Sequence, residues 1–267
     1  MKKIFRFTEN SLYWDNRWEN SGIDKNSFSN LNFYPIKQAE KILNDYKINE
    51  KILELGCGAG RVFFHYKNKG YKIKGIEYSK IAVKKIQCLL ENKEDVIQGN
   101  VLDLPYEDSS FDYILAFGLF HNLEKMEDIE TAFIETARVL KVNGKLVFSV
   151  RFDSLENNII EGITKKRNKN KNFNKFHRWH FDLNTTKRIL EKSNLLITNI
   201  EYSKNVSFLF KYNIFRAKEM KKENFLESTA RSEGFKLNCI GQQIDKFLHT
   251  FFPKQFSNLL ILSVKKK

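Results

Sequence analysis

The sequence predicts an α/β fold in which a doubly wound sheet carries helices on both faces. Three observations support this prediction. Short apolar runs alternate with helically periodic segments through the first 150 residues. One of these runs, Lys51–Leu55, stops at a glycine-rich turn, and a helical pattern follows at once. The apolar runs after it also end in polar or glycine-containing turns, which places a ligand cleft at the carboxyl ends of the strands.

The glycine-rich turn is the strongest local signal. Gly56, Gly58 and Gly60 alternate with other residues, and without side chains they let the backbone and a helix N-terminus approach a ligand closely. A nicotinamide-binding loop would carry its third glycine one position later, where this chain has Arg61. The spacing therefore disfavours a dinucleotide and leaves other adenosine cofactors open.

The next strands are predicted along the same edge of the sheet. Tyr71–Glu77 reads as a second strand that ends in a carboxylate about 20 residues beyond the loop, an offset suited to a ribose diol. A third strand begins at Val96 and ends in an acidic turn before Pro105, and Phe111–Phe117 gives a fourth. Four strand ends therefore point at one cleft.

Helices are predicted between and after these strands from apolar positions at helical spacing. Ser79 is the expected N-cap of the first, because its hydroxyl can accept a hydrogen bond from a free N–H of the first turn. The apolar positions of the three helices are Ile81, Ala82, Ile86, Leu89 and Leu90, then Ile129, Phe133, Ile134, Ala137 and Leu140, then Thr186, Ile189 and Leu190.

The last two strands are predicted at Leu195–Ile200 and Ser257–Val264, with an insertion between them. Within the insertion a helical apolar stripe ends at Pro253; its members are Ile240, Ile244, Phe247, Leu248 and Phe251. We expect this helix to pack on the sheet or to cap the site. The alternative is a membrane-surface or partner-binding face, which Lys246 and Lys254 make plausible.

Four ordered segments resemble motifs of the class I S-adenosylmethionine-dependent methyltransferases: Glu54–Gly60, Gly75–Tyr78, Asp103–Ile114 and Ala137–Phe148. Two positions in the last segment depart mildly from the family, since Val142 and Asn143 stand where relatives carry proline and glycine. The resemblance extends from about residue 13 to residue 150. It implies a Rossmann-like seven-stranded sheet, a mostly helical insertion before the last strand, and S-adenosylmethionine as the cofactor of an enzyme.

The length of 267 residues fits a single methyltransferase domain carrying insertions. Within 1–267 we expect N-terminal lead-in helices over 1–45, the cofactor-binding core over 46–150, and a substrate-side region with insertions over 151–267. The aromatic segment Tyr13–Trp18 resembles the lead-in helix that folds over the cofactor in relatives; ordinary packing of its rings is equally open.

The resemblance implies roles in the cofactor site, residue by residue. The loop residues, Gly56, Cys57, Gly58 and Gly60, would place backbone groups against the methionine portion of the cofactor, and Glu54 would help to hold its ammonium group. Glu77 would accept hydrogen bonds from the ribose hydroxyls.

The same resemblance implies that other residues contact the adenine. Tyr78 would lie against the ring, Asp103 and Leu104 would read its edge, and Phe117 would line the floor. For Glu54 and Asp103, capping of a turn is the alternative role.

Two histidines are the candidate catalytic bases, because histidine is the natural base near pH 7. His121 lies just past the fourth strand, and His180 lies where relatives cover the site. A packed, hydrogen-bonded structural histidine is the alternative for each.

The composition of the chain further limits its possible partners, location and metal sites. With 46 Lys and Arg against 32 Asp and Glu, the chain has a formal charge of +14, which reflects either biased codon usage or attraction to an anionic partner. No apolar run is long enough for a membrane span and no signal peptide is evident, so a cytoplasmic location is expected. The three cysteines lack a disulfide or zinc spacing, and no metal is expected.

The sequence favours methylation of a small molecule, and one form of this hypothesis is an anionic substrate, which carries a phosphate or a carboxylate. The best hypothesis is O-methylation of a sugar or of a phosphorylated surface-glycan precursor. DNA amino methylation is disfavoured, because Ala116–Leu119 replaces the motif that it requires. The basic segment 165–175, expected to be a mobile surface loop, is the only specific support for an RNA methyltransferase, and nucleic acid is otherwise not expected. A noncatalytic binding module that retains the fold is the other alternative, and peripheral membrane contact stays open.

Overall fold

The computed structural model describes residues 1–7, 18–19, 34–221 and 234–267. Its strands are β1 (Lys2–Arg6), β2 (Ile52–Leu55), β3 (Ile73–Glu77), β4 (Val96–Gln98), β5 (Phe111–Phe117), β6 (Leu140–Arg151), β7 (Lys175–His180), β8 (Leu195–Ser203) and β9 (Leu259–Lys266). Its helices are α1 (Ile36–Leu43), α2 (Arg61–Asn68), α3 (Lys80–Gln87), α4 (Met126–Val139), α5 (Leu155–Arg167), α6 (Leu183–Lys192) and α7 (Cys239–Phe251).

Seven strands form one sheet in the order β4-β3-β2-β5-β6-β9-β8. The five strands from β4 to β6 pair in parallel, whereas β9 runs antiparallel to both β6 and β8. The seven-stranded α/β prediction is thus confirmed. Because β2, β3, β4, β5 and β6 are parallel, their carboxyl ends meet at one edge, and the turns that follow them share a cleft.

Helices cover both faces of the sheet, as predicted. Alternate residues of β5 belong to different cores: Ile114 and Ala116 pack with α4 and α6, whereas Tyr113 and Leu115 pack with α1 and α2. This alternation is the period-2 geometry of a strand that is buried on both sides.

One helix prediction is confirmed and two are adjusted. Helix α3 ends at Gln87, so Leu89 and Leu90 lie beyond the end of the first predicted helix. Ser79 caps α3 by accepting a hydrogen bond from the Ala82 N–H at 3.4 Å, and α6 occupies the third predicted helix. In α4 the buried face is rotated from the predicted one, because Ile134 is 53% exposed while Ala132 and Thr136 are fully buried. Leu140 begins β6 instead of ending the helix.

The N-terminus differs from the expected helices. Residues Lys2–Arg6 form β1, which pairs antiparallel with β7 in a second, two-stranded sheet. The amino group of Met1 also pairs with Asp182 at the start of α6. Long-range strand pairing, which local propensity does not reveal, decides this segment. Residues 13–17 of the aromatic segment lie outside the described residues.

The region between β8 and β9 departs from the expectation in one respect. It holds three short 3₁₀ helices and α7, so the described part is mostly helical. The apolar stripe of α7, however, faces solvent: Ile240, Phe247 and Phe251 are 64%, 56% and 66% exposed. The expectation that this stripe packs on the sheet is therefore wrong, and a cap over the site stays a prediction.

The loop within the basic segment 165–175 is shorter than expected. Helix α5 continues to Arg167 and β7 begins at Lys175, so only residues 168–174 lie outside regular elements. Within the described ranges, no helix combines the length and the apolar character needed to cross a bilayer.

Candidate active site

The glycine loop between β2 and α2 adopts backbone angles that favour glycine. Gly56, Gly58 and Gly60 have φ values of 67°, 54° and 76°, in the left-handed region that residues with a Cβ avoid. At Gly58 a Cβ would also lie 2.8 Å from the ring of Trp18. The last residue of the aromatic N-terminal segment therefore packs directly on the loop.

The N–H groups of the loop bind protein acceptors. Gly56 and Cys57 donate to the Ile76 carbonyl at 2.8 and 3.2 Å, and Gly58 donates to Glu77 Oε2 at 2.9 Å. These bonds hold the loop against β3, so we expect a ligand to meet its carbonyl groups and the first turn of α2 instead of these N–H groups. Cys57 is buried against Gly75, and burial raises the pKa of its thiol well above the usual range.

Glu77 closes β3 beside the loop. Its second oxygen, Oε1, accepts from the Ser79 N–H at 3.0 Å, and burial is the main cause that raises the pKa of the carboxyl group. A carboxylate offers about four acceptor positions, so the backbone donors of Gly58, Ser79 and Tyr78 leave at least one position open to a ribose hydroxyl. The adjacent Tyr78 is 75% exposed at the rim. The ribose and adenine roles of these residues stay predictions.

Glu54 supplies the test of whether the site fits the expected cofactor. Its side chain is buried in β2 directly before the loop, and Oε2 has no hydrogen-bond partner among the described residues. Burial raises the pKa of Glu54 well above the usual range, because an unpaired carboxylate is costly away from water. An ammonium group would neutralise this oxygen, so the residues fit S-adenosylmethionine.

The remaining residues expected to contact the cofactor bind or pack against neighbouring elements of the protein. The Leu104 N–H donates to Glu135 Oε2 at 2.9 Å, and its carbonyl accepts from Arg138 at 2.9 Å. Leu104 is therefore tied to α4, while Asp103 beside it is exposed. Phe117 ends β5 and meets Tyr34 edge to face, with ring centroids 5.8 Å apart.

The two candidate bases, His121 and His180, are both buried and interact electrostatically. Neither Nδ1 has a hydrogen-bond partner among the described residues, and His180 Nε2 lies 4.0 Å from Glu161 Oε1. Burial lowers the pKa of His180 to about 3. Burial, followed by the charges of Arg178 and Arg151, lowers the pKa of His121 well below its usual range. Both rings are neutral at pH 7 and are weak bases, so a catalytic role stays a prediction.

A hydrogen-bonded pair near His121 had no signal in the sequence. The Tyr34 hydroxyl lies 2.7 Å from Ser149 Oγ, and Ser149 Oγ accepts from the Gly118 N–H at 3.1 Å. A Cβ at Gly118 would lie 3.9 Å from His121 Cε1 and 4.0 Å from the Tyr34 hydroxyl. Tyr34 comes from the N-terminal region and Ser149 from β6, so only the tertiary fold brings them together.

Comparison with known proteins matches this architecture. Residues 53–148 match a family profile described as a methyltransferase domain. Demethylmenaquinone methyltransferase of Oceanobacillus iheyensis is 35% identical over 37% of this chain and 43% of its own length. O-methyltransferase resE of Aspergillus sclerotiorum is 33% identical over 38% of this chain and 39% of its own length. The chain thus spans less than half the length of these two curated relatives.

Solved structures share the fold at low sequence identity. A SAM-dependent methyltransferase from Methanosarcina mazei aligns with a TM-score of 0.58 at 14% identity, covering 88% of this chain and 98% of that one. Geranyl diphosphate C-methyltransferase from Streptomyces coelicolor, solved with S-adenosyl-L-homocysteine, aligns with a TM-score of 0.57 at 12% identity, covering 97% and 99%. These likenesses support the fold alone.

Proposed function

We propose that this chain, whose residues 53–148 match a methyltransferase-domain profile, is a class I, S-adenosylmethionine-dependent methyltransferase and that it methylates a small molecule. The observation that carries the proposal is the arrangement at the carboxyl edge. The glycine loop, the carboxylate of Glu77 and the Glu54 oxygen that has no partner in the described part of the chain lie together there. A noncatalytic module that keeps the fold would have no use for a buried carboxylate oxygen that lacks a hydrogen-bond partner among the described residues.

When bound, S-adenosylmethionine supplies a methyl group on a sulfonium, which is a good leaving group. The chain then has to bind and align the acceptor, which provides on the order of 7 to 11 kcal/mol of the rate acceleration. Glu54 and Glu77 would hold the cofactor's ammonium and ribose groups. The neutral His121 ring would accept a hydrogen bond from an acceptor hydroxyl at Nδ1, which would orient the oxygen, and would take up the hydroxyl proton as the oxygen is methylated.

We propose O-methylation of a sugar or of a phosphorylated surface-glycan precursor. The support is the presence of Arg178 and Arg151 near His121 and His177: burial is the main cause that lowers the pKa of both histidines, and the charges of these two arginines lower it further. A carboxylate or phosphate on the acceptor would be attracted there, because a guanidinium can bind either with two parallel hydrogen bonds. The name of the resE relative is in keeping with transfer to oxygen, whereas demethylmenaquinone is the alternative acceptor that other relatives suggest.

The test is transfer of labelled methyl groups from S-adenosylmethionine to a panel of sugar phosphates, their unphosphorylated counterparts, demethylmenaquinone and RNA. We expect a sugar phosphate to be methylated with a higher kcat/KM than its unphosphorylated counterpart. Arg178→Gln should reduce that ratio, while the exposed control Arg188→Gln should leave it unchanged. Transfer to demethylmenaquinone or RNA alone would overturn the sugar acceptor, and transfer to no acceptor despite cofactor binding would favour a binding module.

A further inference from the structure

Helix α7 presents an apolar stripe to solvent. Ile240, Ile244, Phe247 and Phe251 are 64%, 36%, 56% and 66% exposed, and their spacing places them on one face of the helix. Phe252, which follows the helix, is 46% exposed. A contiguous apolar patch exposed on a protein surface commonly marks an interaction site.

The outward orientation of the stripe is fixed by the opposite face of α7. Asn238 caps the helix through the Gly241 N–H at 2.9 Å, and its side-chain amide donates to the Ile214 carbonyl at 2.6 Å. Asp245 pairs with Lys204 at 2.8 Å. Small and polar residues therefore anchor the helix to the protein. Ile214, 74% exposed beside the helix start, extends the apolar surface.

The chain on either side of this surface is rich in cations. In residues 204–221 and 234–258 the sequence has eight Lys and Arg against two acidic residues, and one of the two, Asp245, is already paired with Lys204. Lys246 adjoins Phe247, and Lys254 follows the helix. An apolar helix face beside basic residues suits the interface of an anionic bilayer, which attracts nearby cations.

We propose that α7 docks on an anionic lipid bilayer, with Phe247, Phe251 and Phe252 in the interface and Lys246 and Lys254 over the headgroups. Protein interfaces deplete charge at their centre and require a matched surface, whereas a bilayer requires only the apolar face and the cations seen here. This proposal does not rest on the proposed function.

Docking by α7 would bring the bilayer close to the candidate active site. The chain after α7 is bonded to the segment after β6, because the Glu156 N–H donates to the Gln255 carbonyl at 2.9 Å and the Phe152 N–H donates to the Asn258 carbonyl at 3.3 Å. That segment lies at the same edge of the sheet as the glycine loop. The membrane-facing helix is therefore fixed to the acceptor side of the cleft.

The test is sedimentation of the full chain with vesicles of phosphatidylcholine alone or mixed with phosphatidylglycerol. Wild type should bind the mixed vesicles, and binding should weaken in high salt. Phe247→Ser/Phe251→Ser should lower the partition coefficient by at least about tenfold, and Lys246→Glu/Lys254→Glu should lower it on anionic vesicles. The matched control is Ile134→Ser, which removes an exposed apolar side chain from α4.

Thermal unfolding of each variant separates loss of binding from loss of fold. The proposal is overturned if wild type does not bind the mixed vesicles at low salt, or if the double phenylalanine variant binds them as wild type does. It is also overturned if wild type does not bind vesicles and is a dimer in solution that this variant converts to a 31.6 kDa monomer. The apolar face would then bind a second copy of the chain.

Discussion

The carboxylate of Glu77 accepts a hydrogen bond from the backbone N–H of Gly58 at 2.9 Å. This bond joins the end of β3 to the turn after β2, the two places where the sequence predicts contact with the cofactor. The shape of the loop and the orientation of the carboxylate therefore depend on each other.

Substitution of Gly58 should damage the site more than the same change at another glycine. Gly58→Ala introduces strain at a φ of 54° and a Cβ 2.8 Å from the Trp18 ring, whereas Gly70, with a φ of 81°, has nothing within 4 Å of its added Cβ. Urea unfolding should show a loss of about 1 kcal/mol for Gly70→Ala and a larger loss for Gly58→Ala. Only Gly58→Ala should weaken S-adenosylhomocysteine binding, and equal affinities for the two variants would contradict this role of the loop.

The hydroxyl groups of Tyr34 and Ser149 should contribute to stability as a unit. Ser149→Ala leaves the buried Tyr34 hydroxyl without its 2.7 Å partner, which should cost about 1–3 kcal/mol in urea unfolding. Tyr34→Phe should cost less, because Ser149 keeps the Gly118 N–H. The double variant should lose less than the sum of the two single changes. Additive losses would show that the two hydroxyls do not interact in solution.

The fold of residues 46–150 was predictable because local patterns determine most of it. The strand that ends in Glu77, the Ser79 cap and the glycine loop each carry their signal within a few residues. The site was less predictable, since Tyr34 reaches Ser149 across 115 positions.

Two errors in the sequence analysis have physical causes. The apolar spacing of α7 identified a helix correctly, but spacing does not tell which way a stripe faces when polar residues such as Asn238 and Asp245 anchor the other side. The strand β1 was missed because its partner, β7, lies far along the chain.

The buried pair of Glu156 and Lys204 should be sensitive to pH. Lys204 Nζ lies 3.3 Å from Glu156 Oε1, yet burial raises the pKa of Glu156 to about 7 from an ordinary 4.5. The folded state therefore binds more protons than the unfolded state between these values, and this group loses stabilising free energy as pH rises through that window.

Lys204→Met should raise the pKa of Glu156 further and extend that loss above pH 7. We expect a cost of about 3 kcal/mol at pH 8 and a smaller one at pH 6, measured by urea unfolding. The control is Lys192→Met, which removes the surface pair with Glu130 and should cost less than about 1 kcal/mol at both pH values. A cost for Lys204→Met that is the same at pH 6 and pH 8 would contradict the assignment.

His180 should destabilise the fold as the solution becomes acidic. Burial lowers its pKa to about 3 from an ordinary 6.5, so between these values the unfolded chain binds a proton that the folded chain does not. Stability should fall as pH falls below 6.5. Relative to His180→Gln, wild type should lose about 2 kcal/mol between pH 6.5 and pH 5, a comparison that cancels other titrating groups. A difference in stability that does not change with pH would show that His180 keeps its ordinary pKa near 6.5 and would restore it as a candidate base.

The most direct test of the methyltransferase assignment is calorimetric titration of S-adenosylmethionine and S-adenosylhomocysteine into wild type, Glu77→Ala and the exposed control Glu127→Ala. Micromolar binding to wild type and to the control, weakened at least about tenfold in a folded Glu77→Ala, is the predicted result. Absence of binding to wild type, or undiminished binding to Glu77→Ala, would contradict the cofactor site described here.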